Sequence, residues 1–185
     1  LSDERPPAEK VLQSDRVYEG RILSLRVDTV ELSGGRTAQR EVVEHAEVVA
    51  IVPVDAAGNV VLVRQYRLPA CDFLLEAPAG GVEEGEDVEA AARRELEEET
   101  GLRAGRLRRL TGYYVSPGYV TEFIHVFLAT DLEQATAGGG DVDEEIAVQR
   151  LPLVEAVRMV ERGEIRDGKS IIGILLAGRT LGVWA

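Results

Sequence analysis

Gly80-Gly81-Val82-Glu83-Glu84-Gly85-Glu86-Asp87-Val88-Glu89-Ala90-Ala91-Ala92-Arg93-Arg94-Glu95-Leu96-Glu97-Glu98-Glu99-Thr100-Gly101-Leu102 is the most sharply patterned segment of this 185-residue chain. Ala90, Ala91 and Leu96 are helix formers, acids enrich the first turn, and Gly101 supplies a stop, so the pattern predicts a helix over Glu86–Thr100. Within it Glu95, Glu98 and Glu99 stand at i, i+3 and i+4 and share one face. Like charges at that spacing cost an isolated helix about 0.2–0.5 kcal/mol per pair. A hard divalent cation offsets that repulsion: magnesium takes oxygen ligands and completes its shell with waters and phosphates. Taken alone, the three glutamates also fit a solvated face with Arg93 and Arg94 as partners. Gly80 and Gly81 tip the reading, because glycines ahead of the helix let backbone approach a ligand or metal closely.

Upstream, Ile22, Leu23, Leu25, Val27, Val30 and Leu32 lie in a β-branched, alternating run over Val17–Glu44, with Ser33-Gly34-Gly35-Arg36 as a hairpin turn. Residues 1–10, with Pro6 and Pro7, read as a loose arm. Val48–Val54 and Val60–Gln65 are apolar strands around the turn Asp55–Asn59, and Phe73–Glu76 is a short strand leading into a loop, Ala77–Gly81. Downstream, strands are expected over Arg106–Val115 and Glu122–Ala129. A helix with Pro152 in its first turn runs to Glu161, and a last helix covers Ser170–Leu181. Hairpins around a single crossover helix indicate an α/β layered domain with a mixed sheet rather than a doubly wound parallel one.

A net charge of −12 argues against nucleic-acid binding, which needs basic surface. Most of the acidic excess serves solubility, but acids crowd into Glu83–Glu99 and Asp141–Glu145, where they would repel an anionic substrate unless cations intervene. No apolar run of membrane-spanning length and no secretory signal is read, and the single cysteine, Cys71, allows no internal disulfide. A cytoplasmic protein without membrane partners is the expectation.

From Gly80 the fixed positions run Gly, five residues, Glu86, seven residues, Arg94-Glu95-Leu96, one residue, Glu98-Glu99, one residue, Gly101-Leu102. This resembles the Nudix box, and the strand order resembles a Nudix αβα sandwich preceded by an N-terminal antiparallel β extension. The resemblance divides the chain into an arm and extension over 1–45, a dimerisation element, and a Nudix hydrolase domain over 46–185. It implies cleavage of a diphosphate joining a nucleoside to another group, with two or more magnesium or manganese ions per site. Glu95, Glu98 and Glu99 are the implied metal ligands, with the Ala79 carbonyl as a further one and Glu86 contributing through the shell. Arg94 is implied to orient the glutamates.

Three segments outside the box resemble the ADP-ribose pyrophosphatase branch: Arg64-Gln65-Tyr66-Arg67; Glu76-Ala77-Pro78-Ala79-Gly80; and Ser116-Pro117-Gly118 followed by Glu122. They make Arg64, Arg67, Glu76, Pro117, Gly118 and Glu122 candidate substrate contacts. Arg64 and Arg67 also fit surface cations at a strand end, and Pro117-Gly118 a simple turn. One of Tyr66, Tyr113, Tyr114 and Tyr119 is a candidate to stack on the base, the others to pack. In this branch the base that activates water is often a glutamate in a loop after the last long strand, which points to Glu144 or Glu145, with Asp143 behind them. His45 and His125 read as structural. The implied reaction is hydrolysis of ADP-ribose to AMP and ribose 5-phosphate by a homodimer. GDP-mannose, NADH-type or FAD-type dinucleotides are the alternative substrates, and a non-catalytic nucleotide sensor is a distant one, disfavoured by the intact box. A triphosphatase acting on damaged nucleotides is disfavoured by the Glu76–Gly80 lead-in and Pro117.

Overall fold

The computed structural model describes residues 8–135 and 146–183. The chain divides into two compact units, Leu1–Ala46 with Tyr114–Phe123, and Glu47–Tyr113 with Ile124–Ala185.

The first unit is an antiparallel sheet of β1 (Lys10–Glu19), β2 (Leu23–Glu31) and β3 (Thr37–His45), in that order. The hairpin between β2 and β3 closes where the Leu32 amide donates to Arg36 O. Gly34 and Gly35 take φ of 81° and 74°, left-handed angles that favour glycine. β1 starts inside the segment expected to be a loose arm and is exposed along its whole length. The inserted segment Tyr114–Phe123 is tied to β3: the Val43 amide donates to Tyr119 O and the Thr121 amide to Val43 O.

The second unit carries two sheets. One has the order β7 (Ala79–Gly81), β4 (Val48–Pro53), β9 (Phe123–Gln134), β8 (Leu102–Tyr114); the other has β10 (Ala147–Pro152), β5 (Asn59–Arg67), β6 (Asp72–Glu76). β4 runs parallel to β9 and antiparallel to β7, so the sheet is mixed. Alternation along the buried strands sorts side chains to two faces. Val49, Ile51 and Phe127 pack with Ala91, Ala92 and Leu96 of α1 (Val88–Thr100). Val52 and Leu128 pack with side chains of α2 (Leu153–Glu161) and α3 (Gly168–Leu181). At Gly173 of α3 an added Cβ would press on Val52 Cγ2 at 2.7 Å, so this helix lies directly on the sheet.

Several expected boundaries move. The crossover helix begins at Val88, not Glu86, because the Asp87 carboxylate caps it by accepting from the amides of Glu89 and Ala90. The end of the expected loop, Ala79–Gly81, is a strand, made one by pairing with Val48–Ala50. Pro152 ends β10 and α2 starts one residue later. β10 itself has no counterpart in the sequence reading.

Candidate metal and active site

The placement of the acidic face follows from how α1 is seated. Ala91, Ala92 and Leu96 are fully buried against β4 and β9, which leaves Glu95 and Glu99 half-buried at the helix margin and Glu98 exposed. β7 runs beside that margin. The Ala79 amide donates to Glu99 Oε2 at 3.2 Å. At Gly80 an ideal Cβ would fall on the Glu95 carboxyl carbon and both its oxygens. Gly80 is therefore required by close approach of a side chain, since its φ is not left-handed. The strand is held from behind where the Ile51 amide donates to Pro78 O at 2.8 Å.

Arg94 organises the carboxylates. Its Nε and Nη2 donate to the two oxygens of Glu86 at 3.0 and 2.9 Å, a fork-to-fork pair. Nη2 also donates to Gly81 O at 2.9 Å, and Nη1 to Glu95 at 2.6 Å and Glu98 at 3.1 Å. One guanidinium nitrogen thus holds two of the three box glutamates near a common point. The Arg94 hydrogen bonds, aided by the Glu83 backbone, pull the Glu86 carboxyl down to about 2. The same contacts, that to Glu86 first, raise Arg94. Because the folded value of Glu86 is depressed, its stabilising contribution is present above the ordinary value of 4.5 and fades as pH falls toward about 2. Glu86→Gln is expected to flatten that acid limb; a pH series of thermal melts from 6 down to about 2 checks it.

Among the described residues no three acidic, histidine or cysteine side chains form a preformed ligand cage. The donors present still suit a small hard cation: they are the carboxylate oxygens of Glu95, Glu98 and Glu99, with Glu98 open to solvent. Magnesium is commonly held by one or two carboxylates together with waters and substrate phosphates, not by an all-protein cage. Glu95, Glu98 and Glu99 are the residues that would hold it, with the backbone of Ala79 adjacent.

Arg64 and Arg67 lie on β5. Arg67 donates through Nε and Nη2 to the two oxygens of Glu76, each at 2.9 Å. Glu76 is 1% exposed and also pairs with Lys169 Nζ at 2.5 Å. Burial pushes the Glu76 carboxyl up, but Arg67 and Lys169 outweigh it and hold it below its usual range. Glu76→Gln is expected to lower unfolding free energy by about 3 kcal/mol in urea titrations at pH 7, because two cations lose their buried counter-charge. Pro117, Gly118 and Glu122 belong to the first unit, in the segment tied to β3. Asp143, Glu144 and Glu145 lie outside the described residues. Tyr66 stands edge-to-face with Phe73, and Tyr114 with Phe123. His125 is buried: arginine can only donate, so Nδ1 accepts from Arg109 at 2.9 Å, and Nε2 carries the proton toward Glu47 at 2.7 Å. Sequence reading missed Lys169 and Ser170 at the start of α3. The one available signal was Asp167, an N-cap residue three positions before a serine.

A family model for the NUDIX domain matches residues 43–172. The chain belongs to the Nudix hydrolase family. A second model, the nucleoside diphosphate sugar hydrolase N-terminal domain, matches residues 9–43. The ADP-ribose pyrophosphatase of Bacillus subtilis (strain 168) is 38% identical over 167 residues, 90% of each chain. The GDP-mannose pyrophosphatase of Salmonella typhimurium (strain LT2) is 37% identical over 173 residues, 87% of this chain and 91% of its own. Among solved structures, an ADP compounds hydrolase superposes with a TM-score of 0.86 at 24% identity, covering 98% of this chain and 100% of that one, which places the Nudix fold. Nudix hydrolases generally use divalent metal ions, and the acidic margin of α1 is where this member concentrates oxygen donors. Among the described residues no helix is long and apolar enough to cross a membrane.

Proposed function

We propose that this Nudix hydrolase cleaves the diphosphate bond of ADP-ribose, giving AMP and ribose 5-phosphate, with magnesium or manganese as its cation and two or more ions per site. The observation that carries the chemistry is the seating of Glu95 and Glu99 against the backbone of Ala79-Gly80, with Arg94 gathering Glu95 and Glu98. A divalent cation held there supplies charge neutralisation for a diphosphate and a more acidic bound water. The chain's own part is to fix the carboxylates, and Arg94 does so while Glu86 anchors Arg94 from its other side. Glu144 or Glu145 takes the proton from the attacking water, and Arg64 contacts a phosphate oxygen. Pro117, Gly118 and Glu122 contact the substrate.

Similarity to the B. subtilis ADP-ribose pyrophosphatase along both units supports the choice of substrate. The second reading is a GDP-mannose pyrophosphatase, favoured by the Salmonella relative at nearly equal identity. A panel of ADP-ribose, GDP-mannose, NADH and FAD compared by kcat/KM separates them. ADP-ribose is expected to lead by at least about tenfold, a difference of about 1.4 kcal/mol in transition-state binding; a lead by GDP-mannose reverses the assignment. The chain acts as a cytoplasmic homodimer joined through residues 1–45, a reading supported by the exposed Val11, Leu12, Val17, Tyr18 and Ile22 on and beside β1.

A further inference from the structure

The strand that meets the acidic face of α1 is anchored from a helix nearly a hundred residues away. Three consecutive residues, Glu76, Ala77 and Pro78, are each tied down, and two of the ties come from the first turn of α3. Lys169 Nζ reaches Glu76 at 2.5 Å. The Ala77 amide donates to Ser170 Oγ at 2.7 Å, and both groups are out of solvent, Ser170 at 0% and Ala77 at 1% exposure. The hydroxyl proton of Ser170 goes to Asp167 Oδ2, which also accepts from the Ser170 amide as the helix cap. Ser170 Oγ is thus oriented with a lone pair toward Ala77, and the Ala77 amide has a buried partner whose loss leaves it unsatisfied. Two residues further on, Ala79 donates to Glu99, and one beyond that, Gly80 lies under Glu95 with no room for a methyl group.

We infer that Ser170, oriented by Asp167, is a positioning residue for the metal site. By fixing the Ala77 amide it sets the path of Ala79-Gly80 against Glu99 and Glu95. The inference rests on the proposed metal role of those glutamates. Ser170 acts through the backbone and touches neither substrate nor cation. Without its hydroxyl, the Ala77 amide must seek another acceptor, and the clearance under Glu95 is too small to absorb the shift. Outer partners of metal ligands characteristically control affinity at the level of about 10–100-fold.

The test is Mn²⁺ binding followed by electron paramagnetic resonance on the full chain without substrate, with steady-state kinetics on ADP-ribose alongside. Ser170→Ala is expected to weaken Mn²⁺ binding by about tenfold or more and to raise half-saturating metal in the assay equally. At saturating metal, the KM for ADP-ribose should stay within about twofold of wild type. Ile174→Val trims a buried side chain of the same helix that belongs to the core and not to this chain of hydrogen bonds, so it reports general loosening of α3. It should leave Mn²⁺ binding unchanged. Ser170→Cys, similar in volume with a weak sulfur acceptor, should show the same loss and carries the test if the alanine variant does not fold. A folded Ser170 variant that binds Mn²⁺ as wild type does, or an Ile174→Val variant that loses as much affinity, overturns the inference. Wild-type protein that binds no Mn²⁺ overturns the metal reading beneath it, and this inference with it.

Discussion

Glu99→Gln is expected to lower kcat on ADP-ribose by about a thousandfold with little change in melting temperature. The carboxylate lies at the margin of α1, where Glu99 Oε2 accepts from the Ala79 amide. Glutamine keeps an oxygen able to accept that bond and keeps the side chain's size, so the fold has little reason to change. What it removes is a negative charge from the proposed cation site. A metal ion stabilises transition-state charge by several kcal/mol, and about 4 kcal/mol corresponds to about three orders of magnitude in rate. Glu97→Gln is the contrasting substitution. Glu97, on the same helix, pairs with Arg103 of β8, outside the group gathered by Arg94. It should keep kcat within about twofold, as surface ion pairs contribute about 0–1 kcal/mol. Equal losses in the two variants would mean that helix acidity in general, and not this margin, carries the activity.

Gly80→Ala is expected to cost about a hundredfold in kcat/KM while the protein remains folded. The added methyl group coincides with the Glu95 carboxylate. The carboxylate is the movable partner, so the side chain turns away and the backbone of β4 and β7 stays paired. Displacing a reacting or ligating group by about 1 Å typically costs about two orders of magnitude in rate. Gly81→Ala is its neighbour control, because a Cβ at Gly81 meets nothing within 4 Å. Far-ultraviolet circular dichroism and kcat/KM on both variants check the prediction; a Gly80→Ala enzyme of wild-type activity would remove the close approach from the account.

These two residues show why the site was partly legible in the sequence. The helix face of Glu95, Glu98 and Glu99 follows from spacing alone, and Gly101 takes the left-handed cap expected of it, with φ of 67°. The need for Gly80 was also visible, though the reason was not: it is a side chain of the same motif that approaches. Elements whose structure comes from distant partners were hidden. β10, Ala147-Val148-Gln149-Arg150-Leu151-Pro152, buries no residue fully and shows no apolar alternation, so only its backbone ladder with Asn59–Arg64 makes it a strand. Ala79–Gly81 has no β-branched residue and becomes a strand by pairing with β4. Glu76 stands in a segment resembling a substrate contact, and its partners Arg67 and Lys169 lie 9 and 93 residues away. No local pattern carries such a pairing. The start of α1 shifted because two acids compete at its N-terminus: Asp87 caps the helix, and Glu86 is drawn to Arg94.

The proposed hydrolysis of ADP-ribose depends on a divalent cation at the α1 margin. The most direct measurement is chromatography of the nucleotide products after incubating the purified full chain with ADP-ribose and magnesium, with and without excess chelator. The expected result is AMP and ribose 5-phosphate in equal amounts, abolished by the chelator and restored by added magnesium. Intact ADP-ribose in the presence of magnesium, or AMP formed at the same rate with the chelator, would contradict it.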